Sequence, residues 1–408
     1  MIKRSGLSQA SASIGAVILF PGFIVYHTLI AALGLEPLLG GYFAPVASLL
    51  MALTLIGTPS WLSRSDERVG AYLYVFIAFA VYCLLWSTMW VIRSRSYYMS
   101  EAYEQVALTF LLLTSLFLIG LFVNPRLYSV NAILSGFLYG LFGFLIINGV
   151  LTGSFEFNAR EQFGAGEEVA TYQGFATSTL IVAVLCIAFS RTTLQKFVKT
   201  GVAVLCLLML GSRSEMIGFA VMVGALCATI AVRSYQGAVM LVALMIILIA
   251  LGVNYYYVIM SGRFSELVDL GGSSSLLARQ YYSDMAILQI QDSPFFGIPG
   301  GHFVFGDSGS YAHSMLSAWV SFGLVGFALY LYLIIVPFFR SFSEFVLKGN
   351  SDPLWQAVFM LSGIVLLLCL LSKPVFWEVP GLAWGLFAQA VLRPSRAVAG
   401  SGRAIAAA

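Results

Sequence analysis

Gln105–Val123 reads QVALTFLLLTSLFLIGLFV, nineteen residues without a charge. At 1.5 Å per residue a helix of that length covers about 28 Å, close to the ~30 Å of hydrocarbon in a bilayer. Eleven further stretches read the same way, at about 14–33, 38–57, 69–92, 129–150, 172–190, 197–211, 214–232, 237–260, 313–339, 354–372 and 375–392. Composition agrees. Of 408 residues 60% are hydrophobic and 10% charged, and the mean hydropathy is +0.92, whereas a water-soluble domain carries roughly a quarter of its residues as charges. The ~10-residue alternating segments of a transmembrane barrel are absent. The chain therefore reads as an all-α, polytopic membrane protein with about twelve transmembrane helices, forming a single integral membrane domain over residues 1–408.

The first apolar run follows Lys3-Arg4 but exceeds the 7–15 residues of a signal-peptide core, so it reads as an uncleaved first helix. Basic residues set the orientation. With the N-terminus cytoplasmic, fourteen of the 21 Lys and Arg residues fall inside, many in short loops. The other seven (Arg93, Arg95, Arg160, Arg213, Arg263, Arg279 and Lys373) fall outside. This is the positive-inside asymmetry, and it predicts both termini on the cytoplasmic side.

Two polar segments then lie on the outer face: a large loop at 261–312, between the ninth and tenth spans, and a smaller one at 151–171. The large loop holds Gly262-Arg263, Gly271-Gly272-Ser273-Ser274-Ser275, Arg279 and Asp292-Ser293-Pro294-Phe295-Phe296-Gly297-Ile298-Pro299-Gly300-Gly301-His302. Cytoplasmic connections are short, so an active site belongs at the outer leaflet, which has no ATP or nucleotide sugar. A donor there must arrive already activated, most simply linked to a lipid. Consistently, the sequence has no DxD, GxxxxGK[ST] or HExxH motif. A net charge of +3 gives a nucleic-acid partner no support. Cys83, Cys186, Cys206, Cys227 and Cys369 all fall in apolar runs without metal-ligand spacing and read as packing residues. Glu167-Glu168 reads as a solvated acidic pair rather than a cation site.

Few residues remain to carry chemistry. Arg213 sits in Gly211-Ser212-Arg213-Ser214-Glu215, a polar break between two apolar runs. Charge near membrane depth is costly and points to a partner or ligand. A helix N-terminus capped by Ser212 or Ser214 would add partial positive charge beside the guanidinium, making a corner suited to a diphosphate. The ordinary alternative is an Arg213–Glu215 pair or contact with lipid headgroups. Leu276 to Ile290 reads as an amphipathic helix with Leu277, Tyr281, Met285 and Leu288 on one face, leaving Arg279 off that stripe and free to point into a cleft. Arg263 is a further outer-face cation. His313, where the loop meets the tenth span, is the candidate general base, neutral imidazole being suited to that role near pH 7. Its ordinary alternative is a ring bonded to a backbone carbonyl. His302 reads as a solvent-facing loop residue and His27 as a packing histidine. Lys373 could assist with phosphate, though headgroup contact is the more ordinary role.

These features resemble the O-antigen ligase and polymerase family of bacterial glycan assembly. The likeness rests on Gly211-Ser212-Arg213, on Arg279 followed fifteen residues later by Pro294-x-x-Gly297-x-x-Gly300, on Ala312-His313-Ser314, and on Gly323-Leu324-Val325-Gly326. It is best over about 205–335; the first 200 residues agree in hydropathy alone. Two details depart from the family pattern. Eight residues, Met315 to Phe322, separate Ser314 from Gly323 where nine are usual, and Ser283 replaces the aromatic four residues after the loop arginine, with Tyr281 and Tyr282 adjacent. The resemblance implies an inverting, metal-independent and cofactor-free glycosyl transfer from an undecaprenyl-diphosphate-linked glycan. This would take place at the periplasmic face of the bacterial inner membrane. Arg213, Arg279 and Arg263 would hold the diphosphate, and His313 would deprotonate the acceptor. The implied partners are membrane lipids, an acceptor glycan and a chain-length regulator. The acceptor is a lipid-linked repeat for a polymerase and lipid A–core for a ligase. A secondary transporter is the alternative class, but no acidic residue stands in mid-span where coupled transporters need ionisable groups.

Overall fold

Some helices begin at side-chain caps and continue through the uncharged runs. Asp352 accepts the Leu354 N–H at 2.9 Å ahead of Pro353, and Thr192 accepts the Gln195 N–H at 3.2 Å. The structure, a computed structural model, describes residues 2–37, 41–55, 67–94, 97–124, 128–166, 169–254, 274–306 and 309–392, and every regular element among them is helical. In chain order these are α1 (Ile2–Val17), running through a π-turn (Ile18–Gly22) into α2 (Phe23–Leu33), then α3 (Phe43–Leu55), α4 (Glu67–Ser94), α5 (Tyr97–Phe122) and α6 (Tyr128–Thr152). There follow the short α7 (Ala159–Phe163), α8 (Tyr172–Ala188), α9 (Thr193–Met209), α10 (Arg213–Arg233), α11 (Tyr235–Asn254) and α12 (Ser274–Asp292). A 3-10 turn (Gly301–Phe305) precedes α13 (Leu316–Phe342), a π-turn (Ser343–Leu347), α14 (Pro353–Leu371) and α15 (Val379–Leu392).

A helix covers all or part of each of the twelve apolar stretches. Among the described residues seven are long and apolar enough to cross a membrane: Leu7–Leu33, Gly70–Arg93, Tyr98–Phe122, Ser129–Thr152, Arg213–Arg233, Leu316–Leu347 and Pro353–Leu371. The chain is thus an all-helical, multi-pass membrane protein. The remaining stretches carry shorter apolar helices (α3, α8 and α15), the 17-residue α9, or α11, described as far as Asn254.

Burial sorts the helices into a centre and a rim. The sides of α8, α14 and α15 are buried almost throughout, whereas α4 turns Tyr74, Leu85, Met89 and Ile92 outward, as a lipid-facing helix must. The short α15 reaches the centre through Gly381-Leu382-Ala383-Trp384-Gly385. A Cβ at Gly381 or Gly385 would run into the Leu113 or Phe117 carbonyl of α5, so only glycine allows this approach.

α13 is interrupted. Gly323 has φ +64° and ψ −168° in the middle of the helix, and the loop motif Pro294–Gly297 fills the gap. Leu324 N–H donates to the Pro294 and Phe295 carbonyls at 3.1 and 3.2 Å, Trp319 Nε1 donates to Pro294 O at 2.8 Å, and Ile298 N–H donates to Val320 O at 2.7 Å. The Phe322 carbonyl, freed by the break, accepts from Tyr82 Oη at 2.9 Å. A Cβ on Gly323 would strike the Phe295 carbonyl, and one on Gly297 the backbone at Gly323. The two glycine motifs of the sequence are therefore two halves of one joint. His313 lies before the helix, which begins at Leu316 rather than at 313, so the step from Ser314 to Gly323 is a short segment closed by a break.

The amphipathic helix appears as α12, its expected stripe facing largely outward and the half-buried Arg279 lying off it. Leu277, Tyr281 and Leu288 are exposed; Ala286 is buried, and Tyr282, Gln289 and Ile290 are half-buried. The stripe is apolar because of where it faces outward, and the inward face is the one carrying small and polar side chains. His27 is the packing residue expected, its Nδ1 accepting the Ala170 N–H at 3.1 Å.

Candidate functional site

The site forms at one end of the bundle, where α10 begins, α14 ends, and the loop before α13 crosses beneath α12. Its buried centre is Glu215, fully excluded from solvent in the first turn of α10. Ser212 stands at the N-cap, and Ser212–Glu215 has the spacing of a capping box. Neither side chain caps. Glu215 turns to Lys373, Oε1 to Nζ 2.6 Å, and accepts from Thr177 Oγ1 at 3.2 Å, from Ser214 Oγ at 2.7 Å and from Ser212 Oγ. The first amides of α10 are left without a side-chain cap, so the positive end of the helix dipole stays open toward the site.

Lys373 comes from the α14–α15 connection, 158 positions from its partner, with its side chain 11% exposed and its Nζ 5.6 Å over the Trp377 ring. The backbone anchors this connection: Val375 N–H donates to Ser317 Oγ at 2.8 Å, and Met315 N–H to Cys369 O at 2.6 Å.

Arg213 and Arg279 converge here. Burial first, then the neighbouring Arg213 guanidinium, lowers the Arg279 pKa, while Glu215 and Tyr172 oppose the shift. His313 joins the same cluster. Burial, followed by the Arg279 and Lys373 charges, holds its imidazole at about 4, well below the usual histidine range. Between Tyr311 (ring centroids 5.2 Å apart) and Tyr282 (6.4 Å), the imidazole forms no hydrogen bond with the described residues. The carbonyl-bonded arrangement expected of an idle interfacial histidine is not found. Of the two tyrosines near Ser283, Tyr282 faces the site and donates to Ser310 Oγ at 3.3 Å, while Tyr281 faces out.

The structure thus brings together Arg213, Arg279, Lys373 and His313; Arg263, like Glu167-Glu168, lies outside the described residues. Two readings change. His302 is buried (3% exposed) among Phe303, Tyr311 and Phe376, with ring centroids 4.5, 5.6 and 5.7 Å away, instead of facing solvent. Glu215, expected to pair locally with Arg213 if it paired at all, holds Lys373 instead. Nothing local in the sequence signals that partner. A cavity of about 10 Å³ lined by His302, between α12 and α13, has room for one water and not for a sugar. Burial pushes Glu378, beside Lys373, upward from the usual carboxylate range. Among the described residues no three His, Cys, Asp or Glu side chains gather as a metal site would require. The five cysteines are buried and free.

Together these features define the class: a multi-pass helical membrane protein with a half-buried, cation-rich cluster around a neutral histidine. No family model and no curated protein matches the chain.

Proposed function

We propose that the chain is a membrane glycosyltransferase, a polymerase of undecaprenyl-diphosphate-linked oligosaccharide repeats, acting without metal at the periplasmic face of the bacterial inner membrane. In this reading the chain has twelve spans and cytoplasmic termini. The observation that carries the proposal is the convergence of three cations, Arg213, Arg279 and Lys373, on the half-buried imidazole of His313. Such a gathering of guanidinium and ammonium groups suits an anionic diphosphate.

The roles follow from that geometry. Arg213, Arg279 and the open N-terminus of α10 bind the donor diphosphate. His313 takes the proton from an acceptor sugar hydroxyl, whose oxygen attacks the anomeric carbon on the face opposite the diphosphate. The anomeric C–O bond to phosphate breaks, and the leaving diphosphate gains a negative charge that the cations stabilise. Lys373, fixed by Glu215, adds to that field, and Arg263 would complete the phosphate contacts from the outer loop.

Complementation of a deletion strain tests the proposal by comparing its lipid-linked and final glycans. A polymerase defect leaves single repeats on the final acceptor, whereas accumulation of long lipid-linked chains would assign the protein to ligation onto lipid A–core. His313→Ala, Arg213→Ala and Arg279→Ala, each inserted normally, should fail to restore the ladder. Normal ladders from any two of them would overturn the mechanism.

A further inference from the structure

The hairpin Pro294–Gly297 has two exposed phenylalanines at its tip, Phe295 (64%) and Phe296 (63%). In water that pair would be an unsupported apolar patch. Its position relative to α4 suggests otherwise. The Phe296 ring stacks on Trp86, centroids 5.6 Å apart and planes 28° apart. The apolar span Gly70–Arg93 has 24 residues, about 36 Å of helix, roughly 6 Å more than the hydrocarbon it must cross. Trp86 stands seven residues, about 10 Å, inside Arg93. Even with the whole excess at that end, Trp86 and the ring on it would lie below the hydrocarbon boundary.

Two further observations agree. Irregular backbone survives at membrane depth only where its polar groups are satisfied internally, and several of this hairpin's groups are. Gly297 N–H donates to Ser293 O at 3.0 Å, Ile298 N–H bonds Val320 O, the Pro294 and Phe295 carbonyls take Leu324 N–H and Trp319 Nε1, and Tyr82 covers the carbonyl at the helix break. The phenylalanines also continue an outward apolar surface: Leu85 and Met89 of α4 lie on one side, and Leu324 and Val325 of α13 on the other, all exposed.

We infer that Pro294–Gly297 is a re-entrant wedge set into the bilayer at the site end of the bundle, with Phe295 and Phe296 against lipid acyl chains. The partner of this surface is the bulk hydrocarbon of the membrane. The loop that the sequence presents as polar therefore carries a membrane-inserted element. It is joined to α13 through Gly323 and to the site through the 3-10 turn and the His302 nest. The inference does not depend on the glycosyltransferase reading.

A nitroxide at Phe295→Cys, in the full chain reconstituted in phosphatidylethanolamine/phosphatidylglycerol vesicles, tests it. The five native cysteines are buried, so the label takes the introduced one. Relaxation by oxygen, which partitions into lipid, is compared with relaxation by a water-soluble nickel chelate. Met89→Cys serves as the lipid-facing reference and Ser351→Cys as the aqueous one. High oxygen and low nickel accessibility, matching Met89→Cys, is the expected result. Nickel accessibility at the level of Ser351→Cys would overturn the inference, as would low accessibility to both, which would mean that a second copy or another protein surface covers the pair. Val325→Cys repeats the measurement without altering the hairpin and must give the same ranking.

Discussion

Lys199 and Lys373 are both buried lysines, at opposite ends of the bundle, and they are satisfied in different ways. Lys199 donates to Cys186 O at 3.3 Å, in the last turn of α8. At the same end Arg233 donates to Val346 O at 2.9 Å and to Phe345 O, in the turn that closes α13, and Lys196 donates to Gln356. Two of these cations sit on the carbonyls of a helix end, where the dipole is negative. At the other end Arg213 and Arg279 lie beside each other, near Lys373, which Glu215 holds. The first end is self-sufficient. The second gathers its cations around a histidine instead of setting them on helix-end carbonyls, and in the proposed function it is the end that takes the anionic ligand.

Substitutions at the two ends should therefore separate activity from stability. The largest effect belongs to Arg213→Ala, Arg279→Ala and His313→Ala. Each should lower transfer by about 10²–10³-fold while thermal unfolding in detergent stays near that of the parent. Next comes Glu215→Gln, which strands Lys373 in a buried position and should cost about 3–5 kcal/mol of stability. The double variant Glu215→Gln/Lys373→Met should recover most of that loss without recovering full activity. If Glu215→Gln unfolded like the parent, the pair would not be the anchor of the site.

A smaller effect concerns pH. Because burial and the neighbouring cations hold His313 at about 4, its base form persists as pH falls from 7 to 5. The acid limb of kcat/KM, which reports the free enzyme, should then lie near 4 rather than near 6.5. Lys373→Met removes a cation and should move that limb upward; a limb near 6.5 in the parent would show that His313 is not held in this field. The smallest effect is at the far end. Lys199→Met should cost about 1 kcal/mol as one helix-end contact is lost, with transfer unchanged.

Hydropathy revealed the helices because crossing a bilayer needs length and apolarity, both of which are local properties. Arg213, Arg279 and His313 were also legible, since charge near membrane depth and a lone imidazole at a span's edge are rare enough to notice. The site's other half was not. Glu215 looks like half of a local pair beside Arg213, and its partner Lys373 can be found only once α10 and α14 are packed. The break at Gly323 hides within a continuous apolar run, because a sequence does not show which glycine takes a left-handed φ. The stripe on α12 was legible as a stripe, but which way it faces was not: in a membrane protein an apolar face can serve the outside. The same reasoning explains His302, whose burial depends on Tyr311 and Phe376 arriving from separate segments.

The central claim is that the cations at the α10 end form a diphosphate site. It is tested most directly by binding undecaprenyl diphosphate to the purified protein in nanodiscs, comparing the parent with Arg213→Ala and Arg279→Ala. Loss of one charge-assisted contact, worth roughly 1.5–3 kcal/mol, should weaken binding about 10- to 100-fold. Lys199→Met should bind as the parent does. Equal affinity in the parent and both arginine variants would contradict the account.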